Sequence, residues 1–440
     1  MRGPLNGVVR LLIKNYFSSM DVNKPWERRL KDLAHLLTCC ASSYFDPDLF
    51  RMNLNQFLQT SRTVTFIIQK NKSNIPHFKE WYDKNVLTKW KNDTVMQWAK
   101  DSRNKIEKEG DLDLYSSLRV TLVFSYLNEE DVALDLGCNE LLNAGVKKLI
   151  RLARRKLPSS VSDAAAIRIE RRWVTASLSS YELLYSLNYI YMRVYECCQS
   201  LAAHLNSLID NKILVSSEAT FLREETRKVA YVKLRGMESH IVTSRDILME
   251  PTCKPPEDFC ARLIDSEFNR RPPTSLKETV QLFSHIAKNT FEYYGNHKSM
   301  LFFFDHQWKI LDMLTTQFED QTDKFIFWRF IAERIACEKI HGLIWISEAW
   351  IRDCNNDFLP IRNMPIVGER LHVRGIDRDN NRAYTFWNVM RNGDNTLPTL
   401  QLIPNENFSE YEKFEFLLIP AMRAMELPDP PYLSASRSTR

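Results

Sequence analysis

The segment Leu114–Tyr126 reads LYSSLRVTLVFSY. Its apolar residues Leu118, Val120, Leu122, Val123 and Phe124 suit a buried element, and its β-branched residues admit either a strand or a helix. The sequence around it decides for a helix. Upstream, Asn55–Gln69 places Phe57, Leu58, Ser61, Val64, Thr65 and Ile68 at helical spacing, and Phe66 and Ile67 widen the apolar face. Pro76 interrupts the chain. Phe78–Ser102 then carries Trp81, Val86, Trp90, Val95 and Trp98 on what reads as two helices joined near Asn92-Asp93. Trp26–Leu127 as a whole is expected to form a helical bundle.

Downstream, Asp163–Leu208 reads as a long helix with Ser162 or Asp163 as its cap. Lys228–Thr243 alternates around Arg235-Gly236 and suggests a short hairpin. Pro251–Pro273 is a Pro-rich connector with a helical piece at Glu257–Phe268, and helices are expected from Ser275, over Phe302–Phe318 and over Thr322–Ile340. After Gly342 the pattern changes: Leu343–Ile351, Arg370–Ile376, Ala383–Met390 and Phe414–Ile419 read as strands. Asp379-Asn380-Asn381 supplies a hairpin turn. The expected fold is mostly α, with a helical bundle N-terminal domain, a second helical region and a small α+β C-terminal domain. The corresponding boundaries are 20–135 for the bundle, 136–250 for a basic helical middle region with a hairpin, 251–341 for the connector and helices, and 342–427 for the sheet.

Composition agrees with a globular protein of this kind. The 440 residues suffice for two to three domains, with 44% hydrophobic and 26% charged side chains. Only 11 glycines are present, which argues against barrels and Gly-rich phosphate loops. The net charge of +5 is too small to imply nucleic acid by itself. Nine cysteines lack any CxxC spacing and read as reduced thiols of a cytoplasmic protein. Arg10 splits the apolar run Val8–Ile13, so no leader peptide is expected, and Met20 offers an alternative start. Trp173–Met192 holds Glu182, several serines and Asn188 and reads as a buried helix, so no membrane association is expected.

The stretch Trp98–Leu112, WAKDSRNKIEKEGDL, holds Arg103 and Asn104 among charges and closes on Gly110-Asp111. It resembles the Arg-polar-x-x-x-His signature of HEPN-type helical ribonucleases, with Lys108 where the His should stand. The resemblance covers residues 50 to 127. It implies a dimer whose paired motifs face RNA, with Arg103 gripping a phosphate, Asn104 orienting it and residue 108 shuttling protons. His suits that last task with a pKa of about 6.5, and Lys, at about 10.4, does not. The anchor thus remains and the shuttle is lost, which points to a non-catalytic RNA- or protein-binding component, in stress response or defence by analogy. Two alternatives stand beside it: a metal-independent endoribonuclease using Arg103, Asn104 and Lys108, and an assembly scaffold. A plain reading makes this a charged helix end with i,i+4 pairs Asp101–Lys105 and Asn104–Lys108. The segments FLQTSRTVTFIIQK, IPHFKEWY, WAKDSRNKIEKEGDL and WISEAW also look like ones recurring in uncharacterised bacterial proteins.

A second candidate is the basic segment from Gly145. Lys147, Lys148, Arg151, Arg154 and Arg155 interleave with Val146, Leu149, Ile150, Leu152 and Ala153. This is either an electrostatic footprint for nucleic acid or a solvated face answering the acidic patch Glu129–Asp135. No metal or cofactor is expected. Glu338 and His341 form a lone E-x-x-H on an expected helix, and a di-iron site needs a second such pair. Cys337 lies beside Glu338 without a triad, and Glu348, Glu369, Asp377 and Asp379 fall on strands and turns.

Overall fold

The computed structural model describes residues 24–125, 132–133, 143–162, 164–213, 228–235, 240–249, 256–259, 271–353, 363–391, 397–404 and 416–430. They fall into two compact units. The first is drawn from residues 1–121, 133–155 and 168–230, the second from 122–132, 156–167 and 231–440.

In the first unit, helix α1 (Pro25–Ser42) is followed by α2 (Pro47–Lys70). Asp46 caps α2 by accepting from the Leu49 amide, and Pro47 sits where its missing N–H costs nothing. The apolar spacing seen in the sequence buries Phe50, Leu54, Phe57, Leu58, Val64 and Ile68 completely. A helical stretch over Phe78–Trp90, interrupted by a π turn at Asp83–Leu87, leads to α3 (Thr94–Glu109). Asp93 caps α3 through the Met96 amide at 3.0 Å, so the expected join at Asn92-Asp93 is present. Gly110 ends the helix at φ 105°, a conformation that side-chain-bearing residues rarely adopt.

The segment after Gly110 is not a helix. Leu114–Val123 forms strand β1, hydrogen-bonded in the order β2-β1-β3-β4 with Val132–Ala133 (β2), Ala166–Thr175 (β3) and Lys228–Lys233 (β4). Val120, Thr121 and Val123 are all buried there, and the pleated surface accommodates their β-branched side chains better than a helix would. The long helix expected over 163–208 is likewise two elements, β3 and α5 (Leu183–His204). In β3 the inward residues are Ile167, Ile169, Arg171, Trp173 and Thr175, a strict period of two that a buried arginine disguised. Helix α4 (Val146–Lys156) lies between β2 and β3 in the chain.

The second unit holds α6 (Leu276–Tyr294), β5 (Ser299–Phe304), β6 (Ile310–Thr316), α7 (Gln321–Cys337), β7 (Gly342–Arg352), β8 (Ile366–Asp377), β9 (Arg382–Met390), β10 (Thr399–Leu402) and α8 (Ile419–Ala424). The strands form an antiparallel sheet of order β10-β9-β8-β7-β5-β6. Val280, Phe283 and Phe291 of α6 pack on one face against Phe302, Ile344 and Leu371. Trp345 points to the other face, with its ring 5.3 Å from that of Trp328 on α7. Helix α6 can approach closely only because of Gly375, where an added Cβ would stand 2.7 Å from both Leu276 Cδ1 and Val280 Cγ2.

Three of the four strands expected after Gly342 are present, and Asn380 takes φ 62° in the β8–β9 turn. Phe302–Phe318, expected as a helix, is instead the β5–β6 hairpin, whose turn is tied by Asp305 Oδ1 accepting from the amides of Gln307 and Lys309. Phe416–Leu418 is a 3-10 turn entering α8 rather than a strand. The mostly α expectation therefore fails: the described residues are about 50% helix and 24% strand, with two sheets. Most of Glu129–Asp135, residues 260–268 of the expected connector helix, Met20 and the tail from 431 lie outside the described residues. No described helix is long and apolar enough to cross a membrane.

Candidate nucleic-acid interface

Helix α4 owes its place to its two faces. Leu149, Ile150 and Ala153 are buried, while Lys147, Lys148, Arg151 and Arg155 are exposed. At 100° per residue these four cations and Arg154 share an arc of roughly 120°, and 147 to 155 spans about 12 Å of helix axis. Lys147, Lys148, Arg151 and Arg155 have no ion pair among the described residues. The segment leading into α4 is held from below: Arg171 of β3 donates from Nη2 to the Ala144 carbonyl at 2.5 Å.

That arginine is the least expected residue of the first unit. Arg171 is fully buried, its guanidinium lies 5.1 Å from the Trp173 ring, and its Nε and Nη1 have no hydrogen-bond partner. Burial lowers its pKa to about 10, which still leaves it charged at neutral pH. Around it, the Tyr44 hydroxyl lies 2.8 Å from Glu182 Oε1 and 3.2 Å from the Arg171 carbonyl, and Trp173 Nε1 donates to the Tyr44 carbonyl at 2.9 Å. Glu182 also caps α5 by accepting from the Tyr185 amide, and burial raises its pKa. The periodicity of a segment read as a helix gave no sign that these residues face inward together.

The Arg103 segment lies on the last turns of α3. The Arg103 guanidinium pairs with Glu107 at 2.6 Å, donates to Asn104 Oδ1 at 3.2 Å and lies 5.5 Å from the Phe66 ring. Its capacity is thus taken up by its own helix and its neighbour. Lys108 is exposed. Lys105 pairs with Asp113 at 2.7 Å rather than with Asp101. An open cleft of about 490 Å³ lies beside this helix, lined among others by Gln97, Trp98, Asp101, Ser102, Lys105 and Ser177. Arg103, Asn104 and Lys108 are not part of its lining.

Other sequence candidates scatter. Helix α7 ends at Cys337, so Glu338 and His341 do not share a helix face. Glu338 pairs with Arg334 at 2.8 Å, and His341 stands beside the β8–β9 turn. His297 is buried, with Nδ1 2.6 Å from the Lys298 carbonyl, and burial lowers its pKa to about 4. Its amide donates to Glu348. Glu369 accepts two hydrogen bonds from Arg391, at 2.6 and 2.7 Å.

Two comparisons place the chain. The family model described as bacteriophage lambda protein ea47 matches residues 23–245 and 262–426. The protein ea47 of Escherichia phage lambda is 46% identical over 383 residues, covering 86% of this chain and 92% of that protein. No solved structure matches. The resemblance to HEPN ribonucleases and to bacterial proteins is overturned by these matches, which point to a phage family and carry no HEPN signal. The neutralised Arg103 and the β-strand that follows α3 give the physical counterpart of that correction. The chain belongs to the family of the bacteriophage lambda protein ea47.

Proposed function

We propose that the exposed face of α4 binds the phosphate backbone of a nucleic acid without reading its sequence. The observation that carries this reading is the alignment of Lys147, Lys148, Arg151 and Arg155 on one helix face, with no acidic partner among the described residues. Cations already paired within the protein must break those pairs to take a phosphate. Unpaired ones exchange only water and counterions, and the released counterions drive association. Lysines and arginines on one side of a helix meet successive phosphates and carry no base information. The reading includes a cytoplasmic location, supported by the free thiols of Cys39, Cys40, Cys197, Cys198 and Cys337.

The test is fluorescence anisotropy of the full chain with labelled duplex DNA and RNA of about 20 nucleotides over a salt series. Affinity should fall steeply with salt. The variant Lys147→Gln/Lys148→Gln/Arg151→Gln/Arg155→Gln should reduce the log–log slope by about 3 to 4 and bind much more weakly. Binding that persists unchanged in this variant would overturn the assignment. Equal binding to poly-glutamate would do so as well, in favour of an acidic protein partner.

A further inference from the structure

The β8–β9 turn and the residue before β7 bring together three metal-ligating side chains, one of which the sequence keeps 36 and 38 positions from the other two. His341, Asp377 and Asp379 each offer one donor atom, and the three atoms lie within 4.8 Å of one another. His341 Nε2 is 3.8 Å from Asp379 Oδ2. Backbone hydrogen bonds fix the frame: the His341 amide donates to the Phe304 carbonyl and the Arg378 amide to the His341 carbonyl, both at 2.9 Å. The Trp308 ring lies edge-on to the imidazole at 5.7 Å.

A second observation concerns charge rather than proximity. The Asp377 residue is 2% exposed, and its carboxylate receives only neutral donors. Oδ1 accepts from the amides of Asp379 and Asn381 at 3.0 and 2.9 Å, and Oδ2 accepts from Asn381 Nδ2 at 3.0 Å. No lysine or arginine pairs with it among the described residues. Arg378, next to it in the chain, spends its guanidinium on the carbonyls of Ile340 and Ile335, at 2.6 and 3.3 Å. Buried carboxylates are ordinarily offset by a cation or a metal, and this one is offset by neither side chain at hand.

We propose that His341, Asp377 and Asp379 hold a divalent first-row cation of the Mn²⁺ or Zn²⁺ class, clipping the β8–β9 turn to the entry of β7. One imidazole nitrogen and two carboxylate oxygens suit these ions, and three protein donors leave the remaining positions to water. Donors on one ion stand about 3 Å apart at bond lengths near 2.1 Å. The site must therefore close by up to about 2 Å on metal binding, and rotation of the exposed Asp379 side chain supplies its own share of that. Asp377 is preset by its turn.

The test uses the full chain stripped with EDTA and titrated with Mn²⁺, followed by the EPR signal of the free ion. Mn²⁺ is the probe because thiolates elsewhere in the chain take it poorly. One equivalent should bind and be displaced by Zn²⁺. His341→Gln and Asp379→Asn, both partly or well exposed positions outside the sheet core, should each weaken binding more than about tenfold. Glu338→Gln should leave it unchanged. Saturable binding that both variants leave intact would overturn the proposal, as would no binding up to millimolar Mn²⁺ by protein with the parent's circular dichroism spectrum.

Discussion

Arg103 shows how much a side chain's partners decide what it can do. In the sequence it stands in a run of charges where any guanidinium is free to reach a phosphate. In the fold it closes on Glu107, one turn along the same helix, and rests on Phe66. The pair is partly exposed, so its contribution to stability is small. Arg103→Ala should cost less than about 1 kcal/mol in urea unfolding and leave nucleic-acid affinity within twofold of the parent. A large loss of binding with unchanged stability would return Arg103 to the interface. Gly375 is the opposite case, a residue with no chemistry and a demanding position. Gly375→Ala forces a methyl group against Leu276 and Val280 and should destabilise the second unit by about 1 to 3 kcal/mol, measurable as a shifted denaturation midpoint.

Elements whose surface pattern survives in the structure were the legible ones. Helix α2 keeps one clean apolar face, and β7, β8 and β9 are runs rich in β-branched and aromatic residues with a turn sequence between the last two, so each declared itself. Strands β1 and β3 did not. Strand β1 is buried through four consecutive residues, Val120–Val123, and such a run has no period to separate strand from helix. Strand β3 does alternate, but one of its inward residues is Arg171, and an inward charge reads as a surface position. The β5–β6 pair fails for a related reason: Leu301–Phe304 is continuously apolar because α6 and α7 cover both faces of the sheet. Of the candidate sites, the α4 face was readable because exposure and helix spacing alone define it. The cluster at His341 was not, since it depends on which turn a sheet brings beside which strand. Helix α3 offers an element-scale check. Asp93 caps it and also accepts from the Tyr189 hydroxyl at 2.8 Å. Asp93→Ala should cost about 1 to 2 kcal/mol, while Asp93→Asn, which keeps the cap, should cost less than half of that. Equal losses for the two would mean that the carboxylate charge, not the cap, is what matters.

On the scale of the whole molecule, the buried titratable groups set opposite acid responses in the two units. His297, in the second unit, has a pKa of about 4 against an ordinary value near 6.5, because burial disfavours the imidazolium. Between those values the unfolded chain binds a proton that the folded one refuses. The stability His297 supports is complete above about pH 6.5 and falls as pH drops toward 4, by about 3 kcal/mol in all. His372, buried beside Arg374, is shifted in the same direction by burial and then by that cation. Glu182, in the first unit, is raised by burial, so its contribution is greatest in acid and is lost as pH rises through its folded value. Acidification from pH 7 to 4.5 should therefore weaken the second unit first. Hydrogen exchange followed by mass spectrometry should show amides of β7 and β8 losing protection at a higher pH than those of α5. Glu348, half-buried next to His297 and also raised by burial, acts in the opposite sense, so the histidine's share is read by difference. His297→Gln should flatten the pH dependence of β7 and β8 between 6.5 and 4. A variant that loses protection along the same curve as the parent would show that the neutral imidazole of His297 is not what makes this sheet acid-sensitive.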